Sequence, residues 1–349
     1  MTDYYVDPTA SGANDGGGDG TADDPTDTNN WTDAWTNAQS AFDTAIAGDV
    51  VYCRGTQTLS AIIDVDTNSG NDTTGMIRFI GVEGLNGNNG VRFVLDGNSA
   101  VANCLKCTGI NYIHLENFEV KNATSTGIEV SPANCLKWAF VNCSAHNNGG
   151  HGINGDRFKD APIYIRTTCY SNSADGLNRP IFPRILFCSF HDNTGDGFDA
   201  TSTNAWITGS LFYDNGDKGI ENVNSESVVF NCVVNRNTAI GFNVIDTVGP
   251  RLTVAIGNRI TNHSGAGDIG LDCGNGIVYH GWNYYEDNDG NNLQNASLAV
   301  EILNDGAATD AEDQADTNEG YTDKTDGAED FNLRSDATNR RLAITIPTV

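Results

Sequence analysis

Three short phrases hold the residues with the strongest claim to chemistry: "NSADGLN" at 172–178, "NTGDGFD" at 193–199 and "NGDKGIEN" at 215–222. Superposed on their glycines, they place Asp175, Asp196 and Lys218 in one column and Asn178, Asp199 and Glu221 in another. Asp175, Asp196 and Asp199 are the oxygen ligands that a hard cation such as Ca²⁺ takes. Asp199 and Glu221 form a carboxylate pair which, at about 5 Å, suits a retaining glycosidase as nucleophile and acid/base. Lys218, with its pKa lowered, could abstract a proton α to a uronate carboxylate. The plainer reading of the same residues is that of solvated charges at a turn.

The phrases belong to a longer series. Gly127, Gly152, Gly176, Gly197, Gly219 and Gly241 are each followed by a large apolar residue, at steps of 25, 24, 21, 22 and 22 residues, with an irregular copy at Gly270. Asn148, Asn172, Asn193, Asn215 and Asn237 precede five of them by four residues. Between the phrases run short alternating stretches such as "RILFCSF" and "AWITGSLFY", which read as strands. Two or three short strands and tight turns in about 22 residues describe one coil of a parallel β-helix, an all-β solenoid whose coils bury their apolar faces by stacking. Parallel crossovers make it right-handed. The asparagines are then a ladder of amides bonded from coil to coil, and the glycines mark a bend that a Cβ would obstruct. The residues two after the glycine, Asp199 and Glu221 among them, face solvent by alternation. At the strand spacing those two carboxylates are neighbours and repel, so Lys218, a Ca²⁺ ion or a raised pKa must offset them.

A solenoid needs its ends closed. Trp31, Trp35, Ala38, Phe42 and Ile46 follow at steps of 4, 3, 4 and 4 and form one apolar helical stripe, with Gly48 as its stop. This predicts an N-terminal capping helix, and divides the chain into strand and cap (1–48), β-helix (49–290) and an acidic linker with a tail strand "RLAITIPTV" (291–349).

"YYVDPTASGANDG", the helix, "AGDVVYCRGT" and the later Asn-x-x-x-Gly-apolar coils together resemble right-handed parallel β-helix proteins of the pectate-lyase-like superfamily, over roughly residues 3–290. The resemblance implies the fold. For activity it leaves a wide choice: pectate and other polysaccharide lyases, polygalacturonases and phage tailspikes share it. Asp175, Asp196, Asp199 and Lys218 fall on phrases similar to those of a calcium-dependent pectate lyase family with a lysine base. The chain departs from that family in having Gly195–Asp196 where paired aspartates are usual, and "DKGIEN" where the basic residue has a fuller motif. Polygalacturonase motifs are not found as a set.

Charge and cysteine content bound the partners. With 46 acidic and 19 basic residues the net charge is −27, which repels a phosphate backbone and argues against nucleic acid. An acidic polysaccharide is repelled too, unless cations or a local basic patch intervene. No apolar run is long enough to span a membrane. Nine cysteines cannot all pair. Cys143, Cys188 and Cys232 each stand five residues before a ladder asparagine and read as buried thiols in one column. The start "MTDYYVDP" carries no leader pattern. With the thiols, it suggests folding in the cytosol and later release, as for a phage virion component that assembles as a trimer through its tail strand. Candidate sugar contacts are Arg179 and Arg184 of "NRPIFPR" and Trp282 and Tyr284 of "GWNYYEDN". Because no catalytic motif is complete, the sequence favours a non-enzymatic surface or virion protein that contacts a glycan or a partner protein. The alternative is a lyase or glycosidase acting on an acidic polysaccharide, with Ca²⁺ as its candidate cofactor.

Overall fold

The computed structural model describes residues 2–12, 14–16, 31–82, 92–131, 133–200, 204–245, 252–261, 263, 269–274, 277–281 and 283–286, and the strands at 293–294, 299–303, 321–323 and 330–333. Short strands assemble into three long parallel sheets of 12, 10 and 10 strands. The chain visits them in rotation. Arg184–Leu186 lies in the first sheet, Ser189–His191 in the second and Phe198–Asp199 in the third, and Ala205–Thr208 re-enters the first. The result is a parallel β-solenoid, as the 22-residue period requires. Strands of the first and third sheets continue to Leu303, past the boundary expected at 290. The tail strand expected at 341–349 lies outside the described residues, and a short antiparallel pair, Tyr321–Asp323 with Asp330–Leu333, falls at the linker's end.

Alternation assigns the core. Ile128, Ile153, Leu177, Phe198, Ile220, Phe242 and Leu271 lie in register from coil to coil and are all buried. Each such side chain contributes about 1.5–3 kcal/mol by leaving water. The asparagine ladder forms as expected. Nδ2 of Asn148 donates to Oδ1 of Asn172 (2.9 Å), and the pattern repeats from Asn172 to Asn193 (2.9 Å), Asn193 to Asn215 (3.0 Å) and Asn215 to Asn237 (2.8 Å). All five are buried. Asn193 Nδ2 also donates to the carbonyl of Cys169 (3.1 Å). His263 follows Asn237, its Nδ1 donating to the Asn237 carbonyl (3.2 Å). The glycines serve this ladder rather than a bend, since those of the series have no positive φ. A Cβ on Gly197 would stand 2.7 Å from the Gly219 carbonyl oxygen and 2.9 Å from Asn215 Nδ2.

The corner between the first and second sheets is a single left-handed residue: Asn142 (φ 51°), Arg166 (50°), Phe187 (56°), Gly209 (60°) and Asn231 (53°). Bulky residues there cost roughly 1–2 kcal/mol each, so their identity hides the corner from a reading based on Gly and Asn. Directly after it comes the thiol column, alternating as Cys143, Thr167, Cys188, Ser210 and Cys232, all buried. Burial pushes each of these three thiols up to about 12. Two coils separate successive cysteines, about 10 Å at the strand spacing, beyond the reach of a disulfide. On the outer side of the second sheet the same spacing stacks His146, Tyr170, His191 and Tyr213 ring on ring, with centroids 4.4, 5.1 and 4.6 Å apart.

The helix is shorter than its stripe. It spans Ala38–Thr44, capped by Asn37, whose Oδ1 accepts the N–H of Gln39 (2.9 Å). Ala38, Ala41 and Phe42 are buried, and Phe42 stacks on Phe79 at 4.0 Å. Trp31 and Trp35 are buried but precede the helix, and Ile46 lies beyond it with 58 % of its surface exposed. These contacts show a helix packed on the first coils, which is less than a plug over the end of the stack. None of the helices among the described residues is long and apolar enough to cross a membrane.

Removing a rung leaves buried partners unsatisfied, so Asn193→Ala is expected to lower unfolding free energy by about 1–3 kcal/mol, measured by urea denaturation. Cys143, Cys188 and Cys232 are expected to resist a thiol reagent in the native protein and react once it is unfolded. Rapid native labelling of all three would place the column on the wrong face.

Candidate active site

The turn before each strand of the third sheet sets the first chemical column. His151, Asp175, Asp196 and Lys218 occupy equivalent positions, and side chain meets backbone from coil to coil. The backbone N–H of Asp175 donates to His151 Nδ1 (3.2 Å), that of Asp196 to Asp175 Oδ1 (2.9 Å) and that of Lys218 to Asp196 Oδ1 (2.8 Å). The aspartates are thus structural acceptors before any chemistry is asked of them.

Lys218 ends this series and gathers carboxylates. Its Nζ lies 2.9 Å from Asp217 Oδ2, 3.2 Å from Glu221 Oε1 and 3.7 Å from Asp196 Oδ1. Asp217 stands two residues before Gly219 and so outside both glycine-aligned columns. Asp196 is 4 % exposed. Burial pushes its carboxyl up to about 8, Glu221 and Asp175 add to the rise, and the Lys218 ammonium and backbone N–H pull against it. Lys218 pays a desolvation cost of its own. Asp196, Asp217 and Glu221 outweigh that cost and raise its pKa, so it holds its proton.

The second column departs from expectation. Asn178, Asp199 and Asn243 are buried, and Glu129, Asn154 and Glu221 half-buried, where alternation alone predicts a solvent-facing row. The row shields itself. Asn154 Nδ2 donates to Glu129 (3.1 Å), Asn178 Nδ2 to Asn154 Oδ1 (3.0 Å), and Arg179 Nε to Asp199 Oδ2 (3.0 Å). Asp199 and Glu221 are register partners, as expected. Their repulsion is met by a cation apiece: Arg179 for Asp199 and Lys218 for Glu221.

The Ca²⁺ reading fits these donors poorly. Asp175 Oδ1 is taken by the Asp196 N–H, Asp196 Oδ1 by the Lys218 N–H and Asp199 Oδ2 by Arg179. Among the described residues no three His, Cys, Asp or Glu side chains gather as a metal would need. The sugar-contact candidates also separate. Arg179 borders the acid–base cluster, Arg184 lies on the first sheet, and Tyr284 lies in a strand of the second. Trp282 and the side chain of Tyr284 fall outside the described residues.

No protein-family model matches the chain, and no curated protein matches it. Solved structures do. The pectate lyase Pel9A superposes with a TM-score of 0.64 at 16% identity, covering 97% of this chain and 90% of its own. The alginate lyase from Paenibacillus sp. str. FPU-7 gives 0.53 at 15% identity, over 76% of this chain and 95% of its own. A rhamnogalacturonan lyase gives 0.50 at 13%, over 80% and 87%. At these identities the likeness shows the fold, a parallel β-solenoid with neighbours in the pectate-lyase-like superfamily. None of these three is a virion protein, and the virion reading draws no support from them.

The raised pKa of Asp196 has a sign that can be checked. Its ordinary value is 3.8 and its folded value about 8, so between them the folded state binds more protons than the unfolded one. The stabilising contribution is complete below about pH 4 and is lost as pH rises through 8. Asp196→Asn keeps the acceptor for the Lys218 N–H and removes the ionisation. The variant's stability relative to the parent should climb from pH 5 to pH 8 and level off beyond. Parallel denaturation curves for the two proteins across that window would rule out the assignment.

Proposed function

We propose that the chain is a polysaccharide lyase acting on a uronate-containing polymer along the outer face of the third sheet. One observation carries the reading. A single ammonium, Lys218, joins a buried carboxyl whose proton affinity lies near neutrality to a second, more accessible carboxylate, Glu221. Groups that exchange protons near the working pH are what acid–base catalysis requires.

The roles differ from those the sequence suggests. A lysine base must be neutral, and the carboxylates around Lys218 keep it charged. Lys218 is therefore the proton donor and countercharge. Glu221, reached from solvent, takes the proton from the carbon α to the substrate carboxylate. The bond to the β-oxygen then breaks, and Lys218 protonates the departing oxygen. Asp196, behind Lys218, restores its proton. Arg179, whose Nε is held by Asp199, turns a half-exposed guanidinium outward for a uronate carboxylate. The net charge of −27 opposes an anionic substrate, so screening should help rather than hinder.

The test is incubation with polygalacturonate, alginate and rhamnogalacturonan, following the unsaturated product by its ultraviolet absorbance. Glu221→Gln and Lys218→Ala are expected to lower the rate by about 10²–10⁴-fold. A chelator should leave it unchanged, and added salt should raise it at low ionic strength. No unsaturated product from any uronate polymer would overturn the reading; new reducing ends without unsaturation would point to hydrolysis instead.

A further inference from the structure

We propose that Trp206 and Arg184, on the outer face of the first sheet, form a second binding subsite for a uronate ring, apart from the acid–base cluster. The identity of the ligand rests on the lyase reading above; the existence of the subsite does not.

Alternation in Ala205–Thr208 turns Ala205 and Ile207 into the core and leaves Trp206 outward, 55 % exposed. An indole on a solenoid wall is ordinarily free to rotate. This one is held, because its Nε1 donates to Oγ1 of Thr208 (3.1 Å), two residues along on the same face. Among the described residues no aromatic ring stacks on Trp206, and the one guanidinium found over an indole is Arg54 on Trp31. The ring is therefore oriented and open, which removes most of the ordering cost of binding.

Arg184 supplies the second half. It is the register partner of Trp206 one coil earlier, about 4.8 Å away along the sheet. It is exposed. On a chain with 46 acidic and 19 basic residues, it nevertheless joins none of the ion pairs among the described residues, whereas Arg54, Arg78, Arg157, Arg179 and Arg236 each hold a carboxylate. An unpaired guanidinium beside an open, fixed apolar ring matches a sugar that carries both an apolar ring face and a carboxylate. A neutral hexose would use the indole only.

Ala205 follows Asp199 by six residues, so the strand carrying Trp206 leaves the coil of the acid–base cluster directly. A polymer long enough to pass from the third sheet to the first would engage both sites, and engagement of the second would add avidity without touching the chemistry.

The experiment is affinity electrophoresis and calorimetry of the full chain with polygalacturonate and alginate, and with a neutral glucan as control, for the parent, Trp206→Ala, Arg184→Gln and Glu221→Gln. Trp206→Ala and Arg184→Gln should weaken binding of the long uronate polymer by roughly tenfold to a hundredfold and leave turnover of short oligomers unchanged, and Arg184→Gln should leave the neutral control unaffected. Glu221→Gln should bind as the parent does. Trp206-dependent binding without any turnover would sink the lyase reading and keep the subsite. Binding indifferent to both substitutions would overturn the subsite, whatever the turnover. So would a light-scattering result in which Trp206→Ala splits a dimer or trimer, since the face would then belong to a second copy of the chain.

Discussion

Everything in this molecule follows from the requirement that a buried amide be satisfied in both directions at once. An asparagine inside a solenoid turn has an oxygen and a nitrogen to place where water is absent. Stacking places both, provided every coil presents the same residue at the same height. That fixes the register of the three sheets, and the register in turn fixes which residues meet across coils. The glycine column is a consequence, because the ladder side chain and the next coil's carbonyl occupy the space that a Cβ would need.

The same register forces chemistry into being. Because coils repeat, polar residues recur above one another, and acidic ones become neighbours. Asp175, Asp196, Asp199 and Glu221 cannot drift apart without breaking the stack. The chain answers with three devices on adjacent coils: Arg179 on Asp199, Lys218 on Glu221, and retention of a proton on Asp196. The retained proton follows from burial, and so a structural constraint yields a group able to trade protons near neutrality. Fold and acid–base potential are here two aspects of one packing problem.

How far the sequence could be read depended on whether the signal was periodic. The coil length, the ladder from Asn148 to Asn237 and the inward column from Ile128 to Leu271 all recur, and each was legible. The left-handed corners were not, because Arg166 and Phe187 stand where a reader looks for Gly or Asn. The helix end was misplaced because Trp31, Trp35 and Ile46 continue a helical stripe in sequence while tertiary packing confines the helix to seven residues. Alternation predicted a solvent-facing Asp199, and Asp199 is buried. It could not show that neighbouring side chains cover that position, since this depends on Arg179 reaching back to Asp199. The proton on Lys218 was only partly legible: Asp196 and Glu221 stand in the columns that the repeat defines, but Asp217, which also holds the ammonium, lies outside them.

The ladder also has a direction. Asn172, Asn193 and Asn215 each accept from the asparagine of the coil before and donate to that of the coil after. A duplicated coil inserted between Asn148 and Asn172 would meet a donor on one side and an acceptor on the other, as its template does. The acid–base cluster and Trp206 lie beyond that point, and would move together by one step of about 4.8 Å, with their mutual distances unchanged. Gene duplication can therefore lengthen this protein in whole coils without passing through an intermediate that disturbs its surface chemistry. The separation of length from chemistry is a property of the rung, not of the site.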